Sequence, residues 1–352
     1  MTAFLNSAAV LIGRFQPVHS GHMALLRHAL TLAPRVAVVL GSAFQARSPK
    51  NPFTWQERAD SMLAALPEAD RARVAFVPVR DYYNNARWVR AVQRGVRELL
   101  GQDGKDVVLV GHFKDASSDY LDDFPRWRLV SLPRQGRMDA TTVRDAWLNA
   151  EPAQAAQAAR AALAPVADEL PPTVLDELVA FAQTPAFAAL QQEWRMLRGY
   201  KAAWATAPYP PVFVTVDALI RWGADVLLIE RGHAPGKGLL ALPGGFVEPR
   251  DTLWEACLRE LAEETSLAVP EAVLQRALEK VQVFDHPDRS QRGRTITHVH
   301  AFDLSSRERP QVQAGDDAAR TLWVPVRDLV AMEARFFEDH FHILNQFLQL
   351  TE

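Results

Sequence analysis

The sequence predicts an α/β protein of two domains, and three observations carry that expectation. Short apolar runs alternate with longer mixed segments through the first half of the chain. An alanine-rich stretch punctuated by prolines then interrupts the alternation. A second set of strand-like runs follows, with a glutamate-rich segment of helical period among them. At 352 residues the chain exceeds the roughly 250 to 300 residues at which single cores stop growing.

In order along the chain, the runs Ala8–Ile12, Val36–Leu40, Val74–Val79, Val107–Val110 and Leu129–Leu132 are short and almost wholly apolar. Strands of that kind are buried on both faces, which predicts a parallel sheet joined by helices. From Glu151 to about Ala207 the pattern becomes helical, "EPAQAAQAARAALAPVADEL", broken by Pro171, Pro172 and Pro185 and closed by "APYPP". The prolines set the expected boundaries: a first domain over 1–185, a helical linker over 186–207 and a second domain over 208–352. In the second domain "VFVTVDALI" and "DVLLIE" read as strands. A glycine turn, a helix rich in glutamate and the period-two strand "TITHVHAFDL" follow.

The composition, 48% hydrophobic and 23% charged with net charge −3, lacks the basic excess of sustained nucleic-acid or acidic-membrane binders, so small ligands are expected. Cys257 is the only cysteine, which excludes an intrachain disulfide and a cysteine-based metal cluster and predicts a reducing, cytoplasmic setting. No basic residue precedes the first apolar run, and Arg14 follows it closely. Neither a signal peptide nor a membrane span is expected there. Self-association is left open.

"IGRFQPVHSGH", Ile12 to His22, follows directly on the first apolar run. If that run is a strand, this loop and the helix start after it lie at the carboxyl end of the sheet, where open α/β sheets bind ligands. His19 and His22 share one face of a helix start, and Gly21 between them allows a phosphate close to the backbone. Amide groups and the helix dipole there favour anions. The alternative is a pair of surface histidines in a proline-containing loop.

"GRFQPVHSGH" resembles the (H/T)-x-G-H signature of nucleotidylyltransferases, and its longer form is similar to that of nicotinamide mononucleotide (NMN) adenylyltransferases. "MDATTVR" resembles their second signature, with Thr141 and Arg144 at matching positions and Asp139 where many relatives have serine; "GHFKDASSDYLDDFPRW" is similar to the segment between the two. Over roughly residues 6–185 the resemblance implies a Rossmann-like nucleotidylyltransferase domain with a parallel sheet, acting on ATP and NMN with Mg²⁺. It places His19 and His22 at the ATP phosphates, Arg14 and Arg144 on phosphate charge and Thr141 in a phosphate hydrogen bond. Gly13, Phe15, Gln16, Gly21 and Asp139 complete the nucleotide site. Trp88 either stacks on the nicotinamide ring or fills a helix core.

"GGFVEPRDTLWEACLRELAEETSL" resembles the Nudix box, with Gly245, Asp251, Arg259, Glu260, Glu263, Glu264 and Ser266 at the motif positions. Asp251 replaces glutamate and Ser266 replaces glycine. At about 100° per residue, Glu260, Glu263 and Glu264 fall on one helix side while Trp254, Cys257, Leu258 and Leu261 point elsewhere. Such like charges repel, which a bound divalent cation relieves, and carboxylate oxygens suit Mg²⁺ or Mn²⁺; an acidic face turned to solvent is the plainer reading.

The resemblance implies a C-terminal α/β/α Nudix sandwich that hydrolyses a diphosphate. Glu260, Glu263 and Glu264 would be metal ligands, and Arg259 would orient them. "DHPDRSQRGRTITH" and "AGDDAARTLWVP" are similar to segments of ADP-ribose pyrophosphatases. Arg289, Arg292 and Arg294, with Gly244 and Gly245, are the expected ADP-ribose contacts. A solvated basic hairpin tip is the plainer reading of the arginines. Together the motifs resemble the bifunctional NMN adenylyltransferase/Nudix hydrolase family. Two rivals remain: a transferase for another phosphorylated acceptor, and a second domain that senses nucleotides without turnover.

Overall fold

The computed structural model describes residues 4, 6–101, 106–112, 121–133, 139–151 and 155–351. They form two compact units, Met1–Gln191 and Gln192–Glu352. The first runs β1 (Ala8–Gly13), α1 (Ser20–Leu32), β2 (Val36–Leu40), α2 (Trp55–Ala64), α3 (Glu68–Arg71), β3 (Val74–Pro78), α4 (Asn85–Leu100), β4 (Val107–Gly111), β5 (Arg128–Ser131), α5 (Ala140–Leu148), α6 (Ala155–Leu163) and α7 (Pro172–Phe181). The five apolar runs of the sequence are these five strands, within a residue at each end.

All five pair in parallel, in the order β3-β2-β1-β4-β5. The inner strands are apolar throughout because helices cover both faces; Val10, Val38 and Leu109 have no exposed surface. The strand order reverses at β1, so the carboxyl ends of β1 and β4 flank the crevice that receives ligands in such sheets.

Pro171 and Pro172 open α7 rather than ending a helix, and Pro185 opens α8 (Pro185–Ala203). Phe187 of α8 packs on Trp147 of the first unit at 4.7 Å. The division between the units falls within α8, after Gln191, whereas the sequence assigns 186–207 to a linker.

The second unit continues with β6 (Val212–Trp222), β7 (Asp225–Arg231), β8 (Leu240–Ala241), β9 (Gly244–Phe246), α9 (Leu253–Thr265), α10 (Glu271–Ala277), β10 (Leu278–Phe284), β11 (Arg294–Asp303), β12 (Ala318–Pro325) and α11 (His340–Leu348). Its mixed sheet has the order β10-β11-β6-β7-β12, with β8 beside β7 and β9 beside β6. β6 and β11 pair in parallel along their length, and the other pairings are antiparallel. Alternation in β6 sends Val216, Ala218 and Ile220 to one face, where Ala256, Cys257 and Leu261 of α9 cover them. On the other face Phe284 meets Phe347 of α11 at 6.1 Å, which completes an α/β/α sandwich. Burial pushes the Cys257 thiol up to about 12, with help from Asp217 and Glu260, so it is an inert core side chain. Among the described residues no helix is long and apolar enough to cross a membrane.

Helix α9 starts at a capping box, Thr252 with Glu255. It ends at Ser266, whose φ of 48° and ψ of 32° lie in the left-handed region. A non-glycine residue there loses roughly 1 to 2 kcal/mol, part of which glycine forfeits through its freer unfolded chain. Ser266→Gly is therefore expected to stabilise the second unit by about 0.5 to 1 kcal/mol. Thermal unfolding of the full chain checks this, and an unchanged or lower Tm contradicts it.

Candidate active sites

In the first unit, β1 delivers Gly13 and Arg14 to the mouth of the sheet, and the chain turns at Phe15, whose φ is 53°. Gln16 is buried and serves the scaffold: its Nε2 donates to the Phe53 carbonyl at 2.8 Å, and the Phe53 amide donates to its Oε1 at 3.0 Å. His19 caps α1, with Gly21 in the first turn, and the His19 and His22 rings stack at 3.6 Å. The His19 amide donates to His22 Nδ1 at 3.3 Å, so in a neutral ring the proton sits on Nε2. Burial, then His19 and His112, hold the His22 pKa well below 6.5. The ring is thus a neutral donor through Nε2–H. Phe15 sets an edge-on contact with it at 4.8 Å.

The second signature docks on the first. Asp139 caps α5 by accepting from the Thr142 amide at 2.9 Å. Thr141 Oγ1 accepts from Arg144 Nη2 at 3.0 Å, and Arg144 Nη1 donates to the Gln16 carbonyl at 2.6 Å. Arg58, which the sequence reading passes over, donates from Nη1 to the carbonyls of Arg14 and Gly41 at 2.5 and 2.8 Å. Burial lowers Arg58 to about 10, and burial together with Arg14 lowers Arg144 to about 10. Carbonyl and hydroxyl acceptors orient these guanidiniums, with the Asp81 and Glu57 carboxylates near Arg58 and those of Asp145 and Asp139 near Arg144. Trp88 packs against the core of this unit and meets Phe124 edge-on at 5.9 Å. Residues 113–120 and Met138, within the resembling segments, lie outside the described residues.

The second unit holds a cavity of about 740 Å³, lined by the polar side of α9, by β9 and by arginines from two other segments. β9 opens with two adjacent glycines, and backbone crowding requires the first of them. At Gly244, φ is 157° and a Cβ would come within 2.7 Å of the Asp217 Cα; at Gly245 a Cβ would stand 2.5 Å from the Glu260 carboxylate. β9 therefore lies directly on the acidic side of α9. Glu264 Oε2 accepts from the Gly244 amide at 2.8 Å. Burial raises Glu264 to about 8 against the pull of that amide, and burial also raises Glu260.

Arg259 binds this cluster together. Its Nη1 donates to Glu260 at 2.8 Å and Glu263 at 3.0 Å, its Nε to Asp251 at 3.0 Å and its Nη2 to the Phe246 carbonyl at 3.1 Å. Asp251, one methylene shorter than the motif's glutamate, still reaches it. Glu260, Glu263 and Glu264, the expected metal ligands, all line the cavity. Among the described residues no three carboxylate, histidine or cysteine side chains are disposed to hold a metal, because Arg259 draws two of the three glutamates and Gly244 the other. The donor set nevertheless fits a hard divalent cation: carboxylate oxygens on one face, with room above them kept by Gly245.

The three clustered arginines part company. Arg289 borders the cavity but is buried in a bidentate pair with Asp339, both bonds 2.9 Å. Arg292 lines the cavity with its guanidinium 4.9 Å from the Phe246 ring. Arg294 donates to the Asp285 carbonyl and is not among the lining residues. Arg231 and Asp217, absent from the sequence expectation, do line it. Asp217 left a readable signal, a carboxylate inside the apolar strand "VFVTVDALI"; Arg231 left none.

The cytidylyltransferase-like family model matches residues 10–135 and the NUDIX domain model matches 211–347. The nicotinamide/nicotinic acid mononucleotide adenylyltransferase of Acinetobacter baylyi is 35% identical over 187 residues, 53% of this chain and 92% of its own length. The ADP-ribose pyrophosphatase of Methanocaldococcus jannaschii is 35% identical over 136 residues, 39% of this chain and 73% of its own. A bifunctional NMN adenylyltransferase/ADP ribose pyrophosphatase from Francisella tularensis, crystallised with AMP and a manganese ion, matches with TM-score 0.88 and 31% identity over 98% of this chain and 99% of that one. Both motif sets, in the same order and on the same two folds along the whole length, show that this chain belongs to the family of bifunctional NMN adenylyltransferase/ADP-ribose pyrophosphatases.

Proposed function

We infer that the protein performs two reactions of NAD metabolism: adenylyl transfer from ATP to NMN, giving NAD and pyrophosphate, and hydrolysis of ADP-ribose to AMP and ribose 5-phosphate. The observation that carries this reading is the presence in one chain of two separate sites for phosphate chemistry. One is a loop at the end of β1 fastened by Arg58 and Arg144 and carrying a neutral histidine donor, and the other an acidic helix face in a cavity flanked by arginines.

In the first site the NMN phosphate is already an anion and needs no strong base, so positioning and charge neutralisation are the tasks of the protein. His22 Nε2–H and His19 would hold the ATP phosphates, and Arg14 and Arg144 would offset charge on the transferred phosphoryl group. Thr141 would act on a phosphate through its hydroxyl. Gln16 and Asp139 hold the loop and the helix that present these groups, and Trp88 would border the nicotinamide ring.

In the second site Glu260, Glu263 and Glu264 would hold Mg²⁺ or Mn²⁺, which when bound polarises the diphosphate and activates water. Asp251 and the Phe246 carbonyl would keep Arg259 in place beside these carboxylates. Arg292 would bind the diphosphate oxygens. We place the adenylyltransferase activity in 1–185 and the hydrolase in 208–352, with both substrates and the buried free thiol suited to the cytoplasm.

The test is incubation with ATP and either NMN or its nicotinic acid analogue, and separately with ADP-ribose, each with Mg²⁺ or Mn²⁺, followed by chromatography. Dinucleotide and pyrophosphate are expected in the first, AMP and ribose 5-phosphate in the second. Binding of ADP-ribose without release of AMP would make the second unit a sensor. Adenylylation of neither acceptor would assign the first unit to another phosphorylated substrate.

A further inference from the structure

Four consecutive residues leading into α11, Phe337 to His340, fasten it to Leu240 and Leu242 on one side and to the segment between β10 and β11 on the other. The Phe337 amide donates to the Leu240 carbonyl at 2.8 Å. Glu338 Oε1 accepts from Ser290 Oγ at 2.8 Å and from the Gln291 amide at 2.9 Å. Asp339 takes the bidentate pair from Arg289, and His340 Nδ1 accepts from the Leu242 amide at 3.0 Å. Two of these four ties end on the segment between β10 and β11 that carries Arg292.

Ser290 is the junction. A hydroxyl has one proton and two lone pairs. Here the proton goes to Glu338, and the oxygen accepts from the Arg292 amide at 3.3 Å and from Arg292 Nε at 3.4 Å. Glu338 Oε2 also stands 3.9 Å from Arg292 Nη2, near enough to attract its charge. Glu338 itself has φ of 42°, a left-handed conformation for a non-glycine side chain, which persists only where the surroundings hold it. Arg289, by contrast, spends its fork on Asp339 inside the protein and anchors the segment.

We propose that Glu338, acting through Ser290, is a positioning residue for Arg292, holding the guanidinium beside Phe246 and aimed at the diphosphate of ADP-ribose. The inference rests on the reading of the second unit's cavity as the ADP-ribose site. A long arginine side chain left unfastened must be ordered by the substrate itself, so loss of the relay weakens substrate capture more than the chemical step.

The test is steady-state hydrolysis of ADP-ribose by the full chain at saturating divalent metal, with thermal unfolding of the second unit in each variant as the control for folding. Glu338→Ala and Ser290→Ala are expected to raise KM about tenfold and to change kcat less than about twofold. Glu338→Gln keeps an acceptor for Ser290 and should hold KM within about threefold of the parent. The double variant Glu338→Ala/Arg292→Ala should be no worse than Arg292→Ala alone, because both changes remove the same contact. Unchanged KM in Glu338→Ala and Ser290→Ala, a fall confined to kcat, unchanged KM in Arg292→Ala, or fully additive losses in the double variant would each overturn the proposal. Absence of ADP-ribose hydrolysis by the parent protein would instead overturn the functional reading beneath it.

Discussion

His22→Ala is expected to lower the rate of NAD formation from ATP and NMN by at least ~10²-fold, as loss of a preorganised transition-state donor does, while ADP-ribose hydrolysis stays at the parental rate. The expectation follows from the fixed tautomer: the His19 amide occupies Nδ1, so the only proton of the neutral ring is on Nε2, and alanine leaves nothing in its place. Folding is the competing explanation, since the ring stacks on His19 and meets Phe15. Hydrolysis in the same preparation and the Tm of the first unit separate the two.

The pH behaviour gives a second handle. Because burial and the neighbouring histidines depress the His22 pKa in the folded chain, the unfolded chain takes up this proton first. Stability from this group is intact above about pH 6.5 and declines as pH falls below it. Removing His22 should lessen that decline. A parental rate of NAD formation in His22→Ala would remove the histidine from the reaction.

Glu264→Gln is expected to reduce ADP-ribose hydrolysis by more than the roughly 10- to 100-fold that loss of an outer-shell metal partner costs, and to spare NAD synthesis. Glutamine preserves the acceptor for the Gly244 amide, which the carboxylate meets at 2.8 Å. The contact between β9 and α9 therefore survives, and the substitution isolates the charge. Glu263→Gln should act in the same direction, although it also weakens one bond to Arg259. In both variants the divalent-metal concentration for half-maximal rate should rise with the loss of rate. Hydrolysis at parental rate in both would show that the acidic helix face is not the catalytic element.

Much of this molecule is readable in one dimension because the relevant interactions repeat within an element. Five apolar runs mark five strands since parallel strands are covered on both sides, and the period of α9 separates glutamates from core residues. Ser266, where the Nudix pattern has glycine, takes the left-handed geometry that glycine favours at a helix end. His19 and His22 could be paired from spacing alone, because three residues make nearly one helical turn. The Nudix and nucleotidylyltransferase likenesses are local for the same reason.

What the sequence determined by itself was therefore the two α/β folds, their order, and the short segments that carry the chemistry. The tertiary structure alone decided which partners the side chains in those segments take. Arg289, Arg292 and Arg294 are equivalent in a string of letters. They separate because Asp339, fifty positions from Arg289, neutralises one inside the protein, Glu338 and Ser290 steer another, and a main-chain carbonyl holds the last. Arg58 reaches the carbonyl of Arg14 across forty-four positions, and Gln16, grouped by its motif with the nucleotide contacts, spends its amide on Phe53. A charged or amide side chain takes whichever buried partner the folded chain brings within hydrogen-bonding distance, and that choice depends on the path of the whole backbone rather than on any repeat along it.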